Sequence, residues 1–245
     1  MRSFPLILST LVIACAGFAR AQSGGFQTDT FKTSSGALQI TFIGHATLAF
    51  QFNNLLIDVD PVSQYADFST LPKADIILVT HEHGDHLDPK AIEAARKEKT
   101  TIIGTAKCAA QVPGMLPMTN GDSRTVQGVR IEAVPAYNIV NKRPTGEPFH
   151  ARGDGNGYVI TFGDKRVYVA GDTENTPEMK ALKNIDIAFL PMNLPYTMTP
   201  QMVADAAKAF VPKVLYPYHY GETDPAQLKK LLAGTPIDVR IRDLK

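Results

Sequence analysis

The sequence predicts an α+β fold, two packed mixed sheets with helices on their outer faces. Three observations carry that expectation. Short apolar strands crowd the beginning of each half of the chain, helix-forming segments arrive later in each half, and no linker splits the halves into two domains. The composition suits such a core: 245 residues, 44% hydrophobic, 20% charged and a mean hydropathy of -0.08 exclude a disordered chain and a polytopic membrane protein. Lys and Arg number 25 against 24 Asp and Glu. That balance provides no general attraction to nucleic acid or anionic lipid, so recognition falls to a local site for a small molecule. No oligomeric state is specified by it.

Met1-Arg2 supplies a positive charge, Phe4 to Phe18 is an apolar run, and Ala19-Arg20-Ala21 is a small-residue exit. This order predicts a secretory signal peptide over residues 1–21, cut after Ala21, and hence a periplasmic or secreted protein. The run is shorter than the roughly 20 apolar residues of a membrane helix, so no stable span is expected. Val12-Ile13-Ala14-Cys15 offers lipidation at Cys15 as the alternative. Cleavage leaves Cys108 alone, read as a buried small hydrophobe. Residues 22–35 are polar and rich in Gly, Ser and Thr, which predicts a flexible leader before a single domain over 36–245.

Strands are predicted at Leu38–Ile43, Leu48–Phe52 and Leu55–Asp58, with Asn53-Asn54 as a hairpin turn. Ile76–Thr80 reads as a buried strand. Asp88-Pro89 supplies an N-cap and first helical residue for a helix through Ala91–Lys97, followed by a strand at Thr101–Ile103 and a helix at Ala106–Gln111. The second half repeats the style with strands Val129–Val134, Tyr158–Phe162 and Val167–Ala170, the last two joined by Gly163-Asp164. Then come a helix at Pro177–Leu182, a strand at Ile187–Leu190, a helix after Thr199-Pro200, a strand at Val214–Tyr216, a helix at Pro225–Leu232 and a strand at Ile237–Ile241. Between the first two strands of this half lies a long Gly/Pro-rich stretch, Asn138 to Asn156, which holds Lys142, Arg143, His150 and Arg152. A loop of that length in a compact fold is usually functional or mobile.

The chemistry concentrates in His81-Glu82-His83-Gly84-Asp85-His86, at the end of the Ile76–Thr80 strand. In an extended exit from a strand, side chains alternate, so His81 and His83 point the same way and meet one cation. Gly84 permits a sharp turn, after which Asp85 and His86 face a second cation. The chain has six histidines and half of them sit in this hexapeptide, which argues against chance clustering. The helical zincin pattern does not fit, because Asp85 stands where its second histidine would be.

His-x-His-x-Asp-His after a buried strand resembles the signature of the metallo-β-lactamase superfamily, whose fold is an αββα sandwich. The resemblance implies that His81 and His83 bind a first metal, and Asp85 and His86 a second. Gly171-Asp172-Thr173 matches the family's bridging aspartate, and His219, in Tyr218-His219-Tyr220, the strand-end histidine of the second metal. The similarity runs from Thr41-Phe42-Ile43-Gly44-His45-Ala46 through Gly221 and is strongest to the branch containing ascorbate-phosphate lactonase-like proteins. Many members place a third histidine of the first metal where this chain reads Ala136-Tyr137-Asn138, so His150 or His45 is left to complete that site. His45 is equally readable as a group that orients a ligand.

Imidazoles and carboxylates without thiolate suit Zn(2+), two per chain, with Mn(2+) and Fe permitted. Together with the signal peptide, the resemblance implies an exported metal-dependent hydrolase whose metal-bridging hydroxide cleaves an ester, lactone, amide or phosphoester. Asp85 is the candidate for aligning the hydroxide or passing its proton on, and Tyr196 for donating to an oxyanion. Two alternatives stand beside it. A β-lactamase is one, though Asp172 stands where many dizinc lactamases carry cysteine. The other is a mononuclear iron dioxygenase of the same fold, which leaves the second site empty.

Overall fold

The computed structural model of the protein describes residues 25–244. The expected signal peptide (1–21), Cys15 and the start of the expected leader lie outside the described residues. Among those described, no helix is long and apolar enough to cross a membrane.

Among the described residues, fourteen strands form two seven-stranded sheets, and each sheet uses one half of the described chain. The first contains β1 (Gln27–Thr33), β2 (Gly36–Gly44), β3 (Thr47–Phe52), β4 (Leu55–Val59), β5 (Ala74–Leu78), β6 (Arg96–Gly104) and β7 (Leu116–Pro117), in that spatial order. The second contains β8 (Ser123–Val126), β9 (Val129–Ala136), β10 (Gly155–Phe162), β11 (Lys165–Val169), β12 (Ile187–Pro191), β13 (Val214–Tyr218) and β14 (Asp238–Val239), likewise in chain order across the sheet. In each sheet the first four strands pair antiparallel and the rest parallel. Parallel neighbours need a crossover, and α1 (Pro89–Ala95), α2 (Ala106–Ala109), α3 (Pro177–Lys180), α4 (Pro200–Phe210) and α5 (Ala226–Leu231) lie in those crossovers. This is why helices come late in each half.

Alternation along the strands decides which side faces which layer. On β4, Ile57 and Val59 join the core between the sheets, while Leu56 points to the opposite face under α1. Phe50, fully buried, meets Phe162 and Phe189 of the second sheet at 5.8 and 6.1 Å between ring centres. Caps fall where the sequence places them. Asp88 accepts from the amides of Lys90 and Ala91 with Pro89 following, and Thr199 accepts from Met202 ahead of Pro200.

Three expectations are corrected. Gln27–Thr33, expected within a flexible leader, is strand β1, paired residue for residue with β2. Its polar residues are those of a strand at the edge of a sheet, half in solvent, where polarity carries no information about disorder. Arg96 and Lys97, expected at the end of the first helix, already belong to β6. The final strand is two residues, Asp238–Val239, rather than Ile237–Ile241.

The N-terminal strand is fastened to the far end of the chain. Asp29 accepts from Arg242 at 2.7 Å, from Arg240 at 3.3 Å, and from the Tyr216 hydroxyl. Burial pushes the Asp29 carboxyl up, yet the hydrogen bonds from Arg242 and Tyr216 outweigh it and hold the carboxyl below its ordinary value. A depressed carboxylate stabilises the fold above the unfolded-state pKa, about 4, and that contribution is lost as pH falls towards the depressed value. Urea midpoints of wild type and Asp29→Asn should therefore differ most near pH 6 and converge on acidification; a difference that widens in acid contradicts this account.

Candidate metal centre

The ends of several strands from both sheets meet at one edge of the sandwich. His81, His83, Asp85 and His86 follow β5, Asp172 follows β11, His219 follows β13, and His45 sits in the β2–β3 turn. The two sheets are joined here by main-chain and side-chain hydrogen bonds: Asn156 N to Thr80 O (2.9 Å), His219 N to His45 O (3.1 Å) and the Tyr158 hydroxyl to Val79 O (2.8 Å). Gly171 turns with φ +67°, and a Cβ there would lie 2.9 Å from Asn156 O and 3.2 Å from the Thr80 side chain. Glycine is what lets Asp172 approach the hexapeptide.

Every sequence-predicted imidazole and acid of the site is brought into one cluster. His81 Nε2 and His150 Nε2 each lie 3.1 Å from His83 Nδ1. On the other side, Asp85 Oδ2 lies 3.3 Å from His45 Nε2, 3.5 Å from His219 Nε2 and 3.9 Å from His86 Nε2. Asp172 stands between the two groups. Its Oδ2 is 3.3 Å from His150, 3.4 Å from His219 and 3.9 Å from His81, and its Oδ1 is 3.3 Å from His86. His45 also packs on His219, ring centres 3.7 Å apart. Tyr196 is exposed at the rim of the cavity over this cluster, and its ring meets Phe149 edge-on at 5.1 Å.

The geometry suits cations. His86 Nε2 and Asp172 Oδ1 are buried 3.3 Å apart without a hydrogen bond, and both nitrogens of buried His219 likewise lack one. Ligand atoms of His81, His83 and His150 form one group within 4.8 Å of each other, and those of His45, Asp85, His86 and His219 another. Burial, with His86 close by, pushes the His81 imidazole well below its ordinary value, so it presents a lone pair. Burial acts upward on Asp172, but His219 and His86 outweigh it and hold this carboxylate ionised. Asp85 is held down in the same way by His219 and His45 against its burial.

The supporting residues are ones that sequence reading missed. Asp60, fully buried after β4, accepts from the amide and hydroxyl of Thr80 (2.8 and 2.7 Å) and faces His86 Nδ1 at 2.7 Å, which turns Nε2 into the cluster. Asn138, at the position where a third histidine was sought, instead holds His150: its Oδ1 accepts from His150 N and lies 2.8 Å from Nδ1. Glu174, fully buried, accepts from the amides of Ile139, Val140 and Asn141 at 2.9, 2.8 and 2.6 Å and from the Asn138 side chain at 3.3 Å. A signal existed for two of them: acids at strand exits, Asp60 before Pro61 and Glu174 two places after Asp172. Glu174→Gln turns one of the two accepting oxygens into an NH2 donor, so either the Ile139 and Val140 amides or the Asn141 amide and the Asn138 side chain lose their acceptor, and we expect a stability loss of about 1–3 kcal/mol. It should appear as a lower urea midpoint with faster hydrogen exchange at residues 139–141, and unchanged exchange there would refute the role.

Comparison with known proteins places the chain in a family. Residues 39–219 match the family model described as a β-lactamase superfamily domain. A UPF0173 metal-dependent hydrolase of Methanopyrus kandleri is 31% identical over 83% of this chain and 95% of its own. A crystal structure from Parabacteroides distasonis, assigned as a metal-dependent hydrolase, is 55% identical with TM-score 0.86 over 90% of this chain and 100% of that one. A metallo hydrolase of Ignicoccus hospitalis, at 23% identity and TM-score 0.69 over 84% of this chain and 95% of its own, shares the fold. The chain, with both sheets and the clustered strand-end histidines, belongs to the β-lactamase superfamily and is a metal-dependent hydrolase of the metallo-β-lactamase fold.

Proposed function

We propose that this hydrolase is exported, holds two zinc ions, and cleaves an ester, lactone, amide or phosphoester bond of a small molecule. The observation that carries the reading is Asp172, whose carboxylate lies within 3.9 Å of histidines from both groups. In this assignment His81, His83 and His150 would hold the first cation and Asp85, His86 and His219 the second, with Asp172 a donor between the two groups. His45 is assigned to Asp85, which it orients from 3.3 Å. A donor set of imidazoles and carboxylates favours zinc, with manganese or iron permitted. The only described cysteine, Cys108, is buried in α2 outside the cluster.

A pair of divalent ions supplies an activated water nucleophile and Lewis-acid polarisation of the bond to be cut. The chain's residues do the remainder. Asp60 and Asn138 fix the ring orientations of His86 and His150, so the donors are in place before substrate arrives. Asp85, with its side chain 44% exposed, lines the cavity and is placed to align the attacking water. The Tyr196 hydroxyl is positioned to donate to an oxyanion from the cavity rim. The second group of donors favours hydrolysis over a mononuclear dioxygenase, which needs the first group alone.

Removing a donor should remove the metal. His83→Ala is expected to lower metal content and to cut turnover by about 10³-fold, since a metal contributes several kcal/mol to the transition state. Elemental analysis beside a panel of chromogenic esters, lactones, phosphodiesters and β-lactams checks both, and wild-type turnover at unchanged metal content would overturn the assignment. Export has its own test. N-terminal sequencing of the protein recovered from a bacterial periplasm should begin at Gln22, and an intact Met1 would end that part of the proposal.

A further inference from the structure

The loop between β9 and β10 carries several cations, and the structure separates them. Arg152 pairs with Glu178 at 2.6 Å, and Lys107, across the cavity, pairs with Glu82 at 3.0 Å and Asp154 at 2.6 Å. Lys142 lines neither cavity beside the histidines. Arg143 lines both, together with His83, Phe149 and His150, and has no carboxylate within 4.0 Å among the described residues.

Arg143 is also held in place. Its amide donates to Glu147 O at 2.7 Å, Lys142 bridges to Pro148, and the loop base is anchored by Glu174. The guanidinium lies over the Phe149 ring at 5.1 Å and donates to Phe149 O at 3.4 Å. Phe149 is braced in turn by Tyr196. A guanidinium stacked on a ring keeps its planar edge for bidentate binding of an oxyanion, which a lysine ammonium cannot imitate. The cavities on either side, about 350 and 440 Å³, have room for a ligand that reaches from the histidine cluster to this side chain.

We infer that Arg143 is the specificity-determining residue of this hydrolase: it binds a second oxyanion of the substrate, a carboxylate or a phosphate remote from the bond that is cut. The substrate class is then an anionic ester, lactone or amide. Exposed Tyr196 and half-buried Phe149 lie against its apolar body. This rests on the hydrolytic reading for the term "substrate" and on the loop geometry for the anion.

Binding separates the two. Calorimetric titration of the zinc-loaded protein with glutarate, with 4-phosphonobutyrate and with the uncharged-ended isostere glutaramate should show roughly 10- to 100-fold tighter binding of one or both dianions. Arg143→Gln should abolish that preference, Arg143→Lys should retain part of it, and Lys107→Gln, a cavity residue already neutralised, should leave it intact. The dianion that wins identifies the oxyanion. Equal binding of all three, or an undiminished preference in Arg143→Gln, overturns the inference. Turnover of the 4-nitrophenyl monoester of glutarate against that of valerate then tests the reaction. Neither cleaved while the binding preference persists defeats the hydrolytic reading and leaves the anion site standing; both cleaved with equal kcat/KM defeats the anion site and leaves hydrolysis.

Discussion

A single buried carboxylate sets the terms for the rest of the molecule. Asp172 leaves the second sheet and ends within 3.9 Å of four histidines, of which His81 and His86 come from the first sheet and His150 from a loop. Burying a carboxylate is costly unless positive charge or hydrogen bonds meet it. His86, 3.3 Å away, provides that charge: burial acts downward on its imidazole, but Asp172 and Asp60 outweigh it and hold it well above its ordinary value. The two sheets are thus bound at this edge by electrostatics as well as by the core between them. Gly171 is the steric condition for it, since any side chain at that residue would strike Asn156 or Thr80.

Part of the backbone strain lies at the same edge. His45, Asp60 and His219 each adopt φ near +50°, a conformation that costs an ordinary residue about 1 kcal/mol or more. Each is over-determined by its neighbours. His219 N donates to His45 O, Asp60 N donates to Leu78 O, and the Thr47 hydroxyl donates to Asp60 O at 2.6 Å. Strands end in these conformations because their last side chains must turn from the sheet plane into the cluster. A regular strand continuation would carry the same residues past it.

The fold was legible because its signals are local. Apolar alternation, the Asn53-Asn54 and Gly163-Asp164 turns, and caps such as Asp88-Pro89 act over a few residues and need no knowledge of what packs against them. β1 escaped for the opposite reason: only its pairing with β2 and the Asp29–Arg242 contact distinguish it from a polar leader. The hexapeptide histidines were legible as a cluster because they are adjacent in sequence. His150 was one of two open candidates, since the fold-back that brings it to His83 depends on Asn138 and Glu174, contacts made at separations of 12 and 36 residues. Nothing in the local sequence distinguishes an asparagine that holds a histidine from one in a loop.

That chain of contacts also explains how a loop serves a rigid centre. Loops ordinarily position side chains poorly, and a donor displaced by an ångström loses its metal or its substrate. Here Glu174, rooted two residues beyond Asp172, fixes three successive amides of the loop and the side chain of Asn138, and Asn138 fixes His150 at both its amide and its ring. Asn141 then ties the loop to Thr197 O and Asn138 ties it to Tyr196 O, both at 2.9 Å. The residue that presents an acid to the cluster and the residue that immobilises the loop are thus neighbours on one strand exit. His150 is thereby tied to the clustered donors, and Arg143 is tied to the same loop through Glu147 O and Phe149 O. A substrate held by Arg143 would therefore keep its register relative to the clustered donors, which a freely moving loop could not provide.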